Sequence, residues 1–310
     1  MNTKPSTEER IWAVIAHLSA IAVGMGIFLP VLGWSQSRRK SNYTALQCLQ
    51  ALGYQTLGYT IWILTTLIVM VISVLGFASS IQSIDTIEAD LTTWAIGHSA
   101  FTFGLIALYF ILPVSAAIAC AFGMDFRYPV MGKRLARYLG YDAAHSAEGQ
   151  VWLIEENEDR WVTSMGHFAV IIVLWGLLVP VFAWVLQGKR SLFLKIQSIQ
   201  AVVYQAGTML LYFVAGFLYV FGLLVFIFTI GFRGEVVLDS SSSMIGAIVF
   251  LVSLLIAALI LLAVPLLHIL GQWAGYRVLK GDEYHYPIVG RLVEKWISRK
   301  TKSSSEETSA

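Results

Sequence analysis

The apolar positions of this 310-residue chain fall into long stretches that short polar segments separate. Residues 94–122 and 244–267 each exceed the roughly 20 apolar residues that cross the hydrocarbon core of a bilayer. Two further helical stretches, 43–78 and 192–232, begin with polar residues and become apolar. This pattern predicts an all-α, polytopic transmembrane bundle with four crossing helices.

Two shorter apolar segments, 11–35 and 161–186, are interrupted by glycine and proline. Pro30 and Pro180 are predicted to break these helices, because proline lacks the backbone donor and clashes with the preceding turn. A broken helix at membrane depth persists only where protein or a polar cavity covers it. If the basic regions that flank both copies are all cytoplasmic, each copy crosses the membrane an even number of times. Since two segments of each copy already cross, we predict that the interrupted segment is re-entrant and returns to the side from which it entered. The alternative, in which each segment simply spans, remains open at this point.

An internal repeat becomes visible when the chain is shifted by 150 residues, which aligns 10–55 with 160–205 without a gap. The matched pairs include residues that rarely coincide by chance in an apolar sequence, namely Arg10 with Arg160, His17 with His167, Pro30 with Pro180 and Trp34 with Trp184. Each copy also ends in a Tyr-Pro-x-x-Gly motif followed by a basic residue, beginning at Tyr128 and Tyr286. We interpret the pattern as a tandem duplication.

The repeat divides the chain into four parts. We predict a first membrane module at 1–141, a polar acidic linker at 142–159, a second membrane module at 160–297 and a disordered tail at 298–310.

Composition excludes a water-soluble fold, since 57% of the residues are hydrophobic, 13% are charged and the mean hydropathy is +0.71. The segment 79–93 contains three acidic residues and no Lys or Arg. Because basic residues collect in cytoplasmic loops, we predict that both termini are cytoplasmic, in a plasma membrane. The basic loops are predicted to anchor the topology and to contact anionic lipids at that face; they contain Arg38, Arg39, Lys40, Lys189 and Arg190.

Polar residues recur at matching positions inside the apolar segments. They are His17, Gln47, Gln50, Tyr54 and Gln55 in the first copy, and His167, Gln197, Gln200, Tyr204 and Gln205 in the second. We favour a structural interpretation, in which the histidines bond neighbouring polar groups and the Gln/Tyr face packs helices together. A proton or ligand site at the histidines, and a hydrated path along the Gln/Tyr face, are the alternatives.

Catalytic signatures are lacking in the sequence. No nucleophile elbow, phosphate-binding loop or dinucleotide fingerprint occurs, and the two cysteines and six histidines do not have metal-ligand spacing. We therefore predict a protein that is not an enzyme, that needs no cofactor and that binds no nucleic acid. Its expected partners are the lipid bilayer and other membrane proteins.

The opening motif Glu9-Arg10-x-Trp12-Ala13, followed by Ala16-His17-Leu18-Ser19, Pro30, the basic turn and the Tyr-Pro ending, resembles a bacterial membrane family of unknown function. That family is distantly similar to the Tic-twenty-like component of chloroplast protein import. The resemblance covers roughly 10–135 and 160–295, and family members usually carry one copy. It implies no enzymatic activity.

Two hypotheses about function follow. The preferred one is a non-enzymatic scaffold or accessory subunit in membrane protein insertion or envelope homeostasis. The alternative is a small-solute transporter or channel, because duplicated halves and broken helices are common in transporters.

Overall fold

The computed structural model describes residues 4–80, 87–141, 152–231 and 241–296, and all regular secondary structure in these ranges is helical. We call the described residues up to 141 the first half and those from 152 the second half. The first half contains α1 (Thr7–Leu18), α2 (Phe28–Ser37), α3 (Asn42–Gly53), α4 (Tyr59–Ser80), α5 (Ile87–Ala121) and α6 (Met131–Tyr138). The second contains α7 (Glu155–Phe168), α8 (Leu178–Gln187), α9 (Leu192–Gly231), α10 (Ser241–Leu279) and a helical segment at 289–296.

Four helices are long and apolar enough to cross a membrane: Asn42–Ser79, Ile87–Ala121, Leu192–Thr229 and Ser243–Leu279. The first of these joins α3 to α4 through a π-helical turn at Tyr54–Gly58. The prediction of four crossing helices is therefore confirmed in length and composition. At 38 residues, the first is about 57 Å long, whereas the hydrocarbon core of a bilayer is about 30 Å thick. Part of each long helix must therefore project beyond the core.

Local sequence explains where the helices begin. Ser6 caps α1 in a capping box, in which its backbone N–H donates to Glu9 Oε2 at 2.6 Å and its hydroxyl accepts from the Glu9 backbone N–H. The α3 helix is capped by Ser41, which accepts from the Thr44 N–H at 3.2 Å. Ser191 accepts from the Leu194 N–H at the same distance, at the start of α9. The serine that the repeat aligns thus has the same role in both halves.

The interrupted segments consist of a helix, a tight reversal and a second helix. The α1 helix is only about 18 Å long, too short to span, and the Thr44 hydroxyl donates to the Glu9 carbonyl, so the segment ends near where it began. The reversal in the first half lies at Val23 and Gly24, which have φ of 36° and 86°.

Pro30 and Pro180 do not break these helices, contrary to the prediction. Both occupy the third position of the following helix, α2 or α8. An amide at that position has no partner within its helix, so a missing N–H costs nothing there. The glycines of the reversal matter more, because a Cβ at Gly26 would lie 2.1 Å from the Ser19 carbonyl oxygen. A Cβ at Gly176 would lie 1.9 Å from the Ala169 carbonyl oxygen.

The acidic segment that the sequence assigns to a linker extends into a packed helix. The α7 helix begins at Glu155, and Glu158 and Asp159 are 3% and 6% exposed. Residues 142–151 of that predicted linker, and the predicted disordered tail at 298–310, lie outside the described residues. The division into two modules stays a prediction.

One apolar core joins the two halves. Trp34, Leu46 and Leu135 from the first half are buried with Trp161 and Met165 from the second. The α2 helix packs against its counterpart α8, and the rings of Phe28 and Phe182 stack with centroids 4.8 Å apart. The antiparallel pairs α4–α5 and α9–α10 extend from this core, and their side chains are largely exposed, as a lipid-facing surface requires.

Candidate functional site

The polar residues of the first half meet in a cluster around His17, which is fully buried. Its Nδ1 lies 3.0 Å from the hydroxyl of Tyr128, and its Nε2 lies 3.0 Å from Gln47 Oε1. The Gln47 amide group donates to Asp125 Oδ1 and to the Phe126 carbonyl, both at 3.0 Å. The cluster therefore connects α1, the start of the first long helix and the loop that follows α5.

The hydrogen bonds fix the protonation of the imidazole. Because the Gln47 amide nitrogen donates to two oxygens, its Oε1 must accept, and His17 Nε2 carries the proton. Nδ1 then accepts from the Tyr128 hydroxyl. Burial lowers the pKa of His17 to about 4, which agrees with a neutral ring. Both ring nitrogens are thus engaged within the protein.

Gln50 explains the Tyr-Pro-x-x-Gly motif. Its amide group donates to the Phe126 carbonyl at 3.1 Å, and its Oε1 accepts from the Tyr128 backbone N–H at 3.2 Å. A Cβ at Gly132 would lie 2.6 Å from this Oε1, so only glycine allows α6 to approach so closely. The tyrosine and the glycine of the motif therefore both contact the Gln face.

The second half repeats this arrangement around His167, whose Nδ1 lies 3.0 Å from the Tyr286 hydroxyl and whose Nε2 lies 3.2 Å from Gln197 Oε1. The Gln197 amide group donates to the Tyr284 carbonyl at 3.0 Å. Gln200 Oε1 accepts from the Tyr286 backbone N–H at 3.3 Å. Burial lowers the pKa of His167 to about 4 as well.

Tyr54 and Tyr204 stack on the motif tyrosines. The rings of Tyr54 and Tyr128 are 4.6 Å apart and within 6° of parallel, and those of Tyr204 and Tyr286 are 4.0 Å apart and within 7°. Gln55, one position after Tyr54, donates to the Ala16 carbonyl at 3.1 Å and to the Ser19 hydroxyl at 2.9 Å.

Gln205 likewise donates to the Gly166 carbonyl at 2.6 Å. Gln55 and Gln205 are therefore the glutamines that reach the ends of the first helices of the interrupted segments. Gln47 and Gln197 instead bond the histidines and the loops after the long helices.

Arg38 does not face lipid as a basic anchor would. It is 4% exposed and lies among three carboxylates of α7, at 3.2 Å from Glu155, 3.2 Å from Glu158 and 2.7 Å from Asp159. The indole N–H of Trp34 also donates to Glu158 Oε1 at 3.0 Å. The sequence pattern of three adjacent cations could not separate Arg38 from its neighbours, because its burial depends on acids about 120 residues away.

The other basic residues of the two basic loops lie at the surface. Arg39 and Arg190 both contact the carboxylate of Glu155, Arg190 at 2.7 Å. Lys40 and Lys189 are exposed. Because one acidic side chain contacts both basic loops, these loops lie at the same end of the molecule.

Sequence reasoning missed several members of these clusters. Asp125 carried no periodic signal, and Glu158 and Asp159 were assigned to a linker. Tyr128 and Tyr286 were recognised only as the start of a repeated motif, without a role in the cluster. The shared repeat of His, Gln and Tyr-Pro was the available signal that these positions belong together.

A comparison with family models gives one match, to the MamF/MmsF family, described as the magnetosome magnetite crystal formation protein family. The match covers residues 8–135 and again 158–293. The chain belongs to this family. The double match coincides with the two stretches that the sequence repeat predicts. It contains both histidine clusters and the four candidate spans.

The resemblance to the Tic-twenty-like family is wrong, since the matching model is that of the MamF/MmsF family. The opening motif, Pro30, the basic turn and the Tyr-Pro ending, on which that resemblance rested, therefore do not identify the family. No curated protein and no solved structure matches the chain.

Proposed function

We propose that this chain is a non-enzymatic structural component of the magnetosome membrane that takes part in magnetite crystal formation. The observation that carries the proposal is the family match over both halves, together with four helices long enough to span a membrane. The predicted roles in membrane protein insertion and envelope homeostasis rested on the Tic-twenty-like resemblance, which the family match overturns. The proposed membrane therefore replaces the predicted plasma membrane.

The two ends of the molecule differ in charge. Arg39 and Arg190 meet at one end, whereas the first turn of α5, at the far end of the first hairpin, carries Glu88 and Asp90. Basic residues favour the cytoplasmic face. The acidic end then faces the crystal, where carboxylate oxygens can bind the iron cations at the surface of an iron oxide.

The interrupted segments and the polar clusters give this membrane component a fixed shape. Each interrupted segment re-enters on the basic side and covers the polar ends of the long helices. The His, Gln and Tyr side chains bond one another and the backbone, which supports their interpretation as packing groups. A solute path along the Gln/Tyr face would require these groups to be open to water.

Replacement of the gene in a magnetosome-forming bacterium tests the proposal. Deletion should change the size or shape of the crystals in electron micrographs, and the wild-type gene should restore them. A variant with Glu88→Gln and Asp90→Asn should fail to restore them, whereas Lys40→Gln with Lys189→Gln, an equal number of changes at the basic end, should succeed. Normal crystals after deletion would refute the proposal.

Cysteine labelling tests the orientation. Thiols introduced at Ser146 and Ser303 should react from the cytoplasmic side, and those at Ser83 and Ser241 only from the opposite side. Labelling of Ser146 from the opposite side would refute both the orientation and the re-entrant segments.

Flux into proteoliposomes distinguishes the transporter alternative from the structural role. Purified chain should give no flux above empty vesicles for a broad panel of solutes that includes ferrous iron. Reproducible flux would overturn the structural role.

A further inference from the structure

An apolar groove of about 720 Å³ lies where the two halves meet. Its lining comes from both halves and includes Tyr54, Ile61, Leu112, Met131, Trp161 and Leu279. The volume falls within the roughly 300–1,000 Å³ of small-molecule sites. Apolar side chains of α4, α5, α6 and α10, together with the indole of Trp161, thus surround a space that water does not fill favourably.

The groove is open toward the candidate spans. Ile61 and Leu112 belong to the first and second spans, and Ile61 is 65% exposed. The opposite wall is α6, the short helix that follows the loop of the His17 cluster. One end of the groove therefore continues into the lipid-facing surface, and the other end lies near polar loops.

Among the described residues that line this apolar space, one is a cation. Arg134 projects from α6, is exposed, and forms no ion pair or hydrogen bond that the described part of the chain supplies. Lys133 and Arg137 lie beside it on the same helix, outside the groove lining. An apolar groove that ends at an arginine is complementary to a lipid with an acyl chain and an anionic headgroup.

We propose that this groove binds one anionic phospholipid of the surrounding bilayer, with an acyl chain between the halves and the headgroup phosphate at Arg134. The bound lipid fills the gap between the first long helix and the end of α10, so it joins the halves on their membrane side. The proposal rests on the proposed membrane placement and not on the role in crystal formation.

The structure gives two reasons for the site to be rigid. The Trp161 indole N–H donates to the Leu49 carbonyl at 3.0 Å, which holds the ring as one wall. Tyr54, on another wall, is held by its stacking on Tyr128 and by its hydrogen bond to the Tyr109 carbonyl at 2.7 Å. A groove with walls held by other contacts does not need the lipid to form.

Lipid retention by the purified full chain tests the proposal. The chain is reconstituted into phosphatidylcholine vesicles that contain a minor fraction of phosphatidylglycerol, extracted in mild detergent, and weighed by native mass spectrometry. We expect one retained phosphatidylglycerol per chain. Arg134→Gln should reduce its retention about fivefold relative to phosphatidylcholine, and the matched control Arg137→Gln should retain it fully.

A second pair of variants tests the acyl-chain part. Ile61→Trp should fill the groove and abolish retention, whereas Ile68→Trp, two turns along the same helix and outside the lining, should not. Equal retention by the Arg134→Gln and Arg137→Gln variants, or by the two tryptophan variants, would overturn the proposal. So would equal retention of both lipids by the wild type. Crystal formation is not a readout here, so this failure is distinct from failure of the proposed function.

Discussion

The two halves hold their histidines in the same pair of hydrogen bonds, but they satisfy the neighbouring glutamines differently. In the first half, the amide groups of Gln47 and Gln50 both find partners in the loop after α5. In the second half, the amide nitrogen of Gln200 has no hydrogen-bond partner among the described residues. The glutamine amide groups are therefore more completely hydrogen-bonded in the first half than in the second.

The halves also differ at their basic loops. Arg38 of the first half aligns with Gly188 of the second. At this position, therefore, only the first half places an arginine against the other half. The acids that receive it, Glu158 and Asp159, align with Glu8 and Glu9 at the surface of the first half. A repeated sequence has thus produced one asymmetric interface, in which the first half supplies the cation and the second supplies the acids.

The largest expected effect is that of Arg38→Met. It leaves Glu158 and Asp159 buried without their cation, which should lower the free energy of unfolding by about 3–5 kcal/mol. Denaturant unfolding in detergent measures it. The control Arg39→Met removes an exposed contact and should cost about 0–1 kcal/mol. Adding Glu158→Gln and Asp159→Asn to Arg38→Met should recover part of the loss, and equal effects of the two arginine changes would contradict the asymmetry.

The acids of this interface should also make stability depend on pH. Burial raises the pKa of Glu158 from 4.5 to about 7, despite Arg38 beside it. The folded state therefore binds a proton that the unfolded state has released, so the stabilisation is complete below pH 4.5 and is lost as the pH rises to about 7. Since one pKa unit corresponds to about 1.4 kcal/mol, the loss amounts to a few kcal/mol.

Glu158→Gln tests this dependence. The variant should match the wild type at low pH and exceed it in unfolding free energy above pH 7. A Glu8→Gln variant, at the aligned surface position, should show no such difference. Parallel pH profiles for the wild type and Glu158→Gln would refute the assignment.

The sequence predicted the long helices well and the contacts between them poorly, for identifiable reasons. Apolar length alone determines whether a helix can span, so the four candidate spans followed from hydropathy. Periodicity placed Gln47 and Gln50 on one face, but it could not show that this face meets residues 125–128, because those partners are about 78 positions away. Pro30 was misjudged, since a proline at the third position of a helix leaves the same sequence signal as a break. The reversal at Val23 carries no signal, because valine rarely adopts a positive φ.

The difference between the glutamines can be measured directly. Gln50→Leu leaves the Phe126 carbonyl and the Tyr128 N–H without their partners, so it should cost about 2 kcal/mol in unfolding free energy. Gln200→Leu removes one long hydrogen bond and also an unpaired amide group, so it should cost about 1 kcal/mol or less. Thermal unfolding of the two variants in the same detergent compares them. A larger loss from Gln200→Leu would reverse the ranking of the two halves.

The smallest expected effect concerns the tyrosines that stack on the motif. Pro113 lies inside α5 and cannot donate to the carbonyl four residues earlier, which belongs to Tyr109. The Tyr54 hydroxyl donates to that carbonyl at 2.7 Å and so replaces the missing bond. In the second half the Tyr204 hydroxyl donates to the Leu267 carbonyl, which has the amide of Gly271 as a helical partner.

Tyr54→Phe should therefore lower the unfolding free energy by about 1–2 kcal/mol, and Tyr204→Phe by about 0.5 kcal/mol. A double-mutant cycle isolates the reason. Pro113→Ala restores an amide donor to the Tyr109 carbonyl, so Tyr54→Phe should cost less in that background than in the wild type. If the two costs are equal, the hydroxyl does not act by replacing the proline's missing bond, and the halves do not differ in this respect.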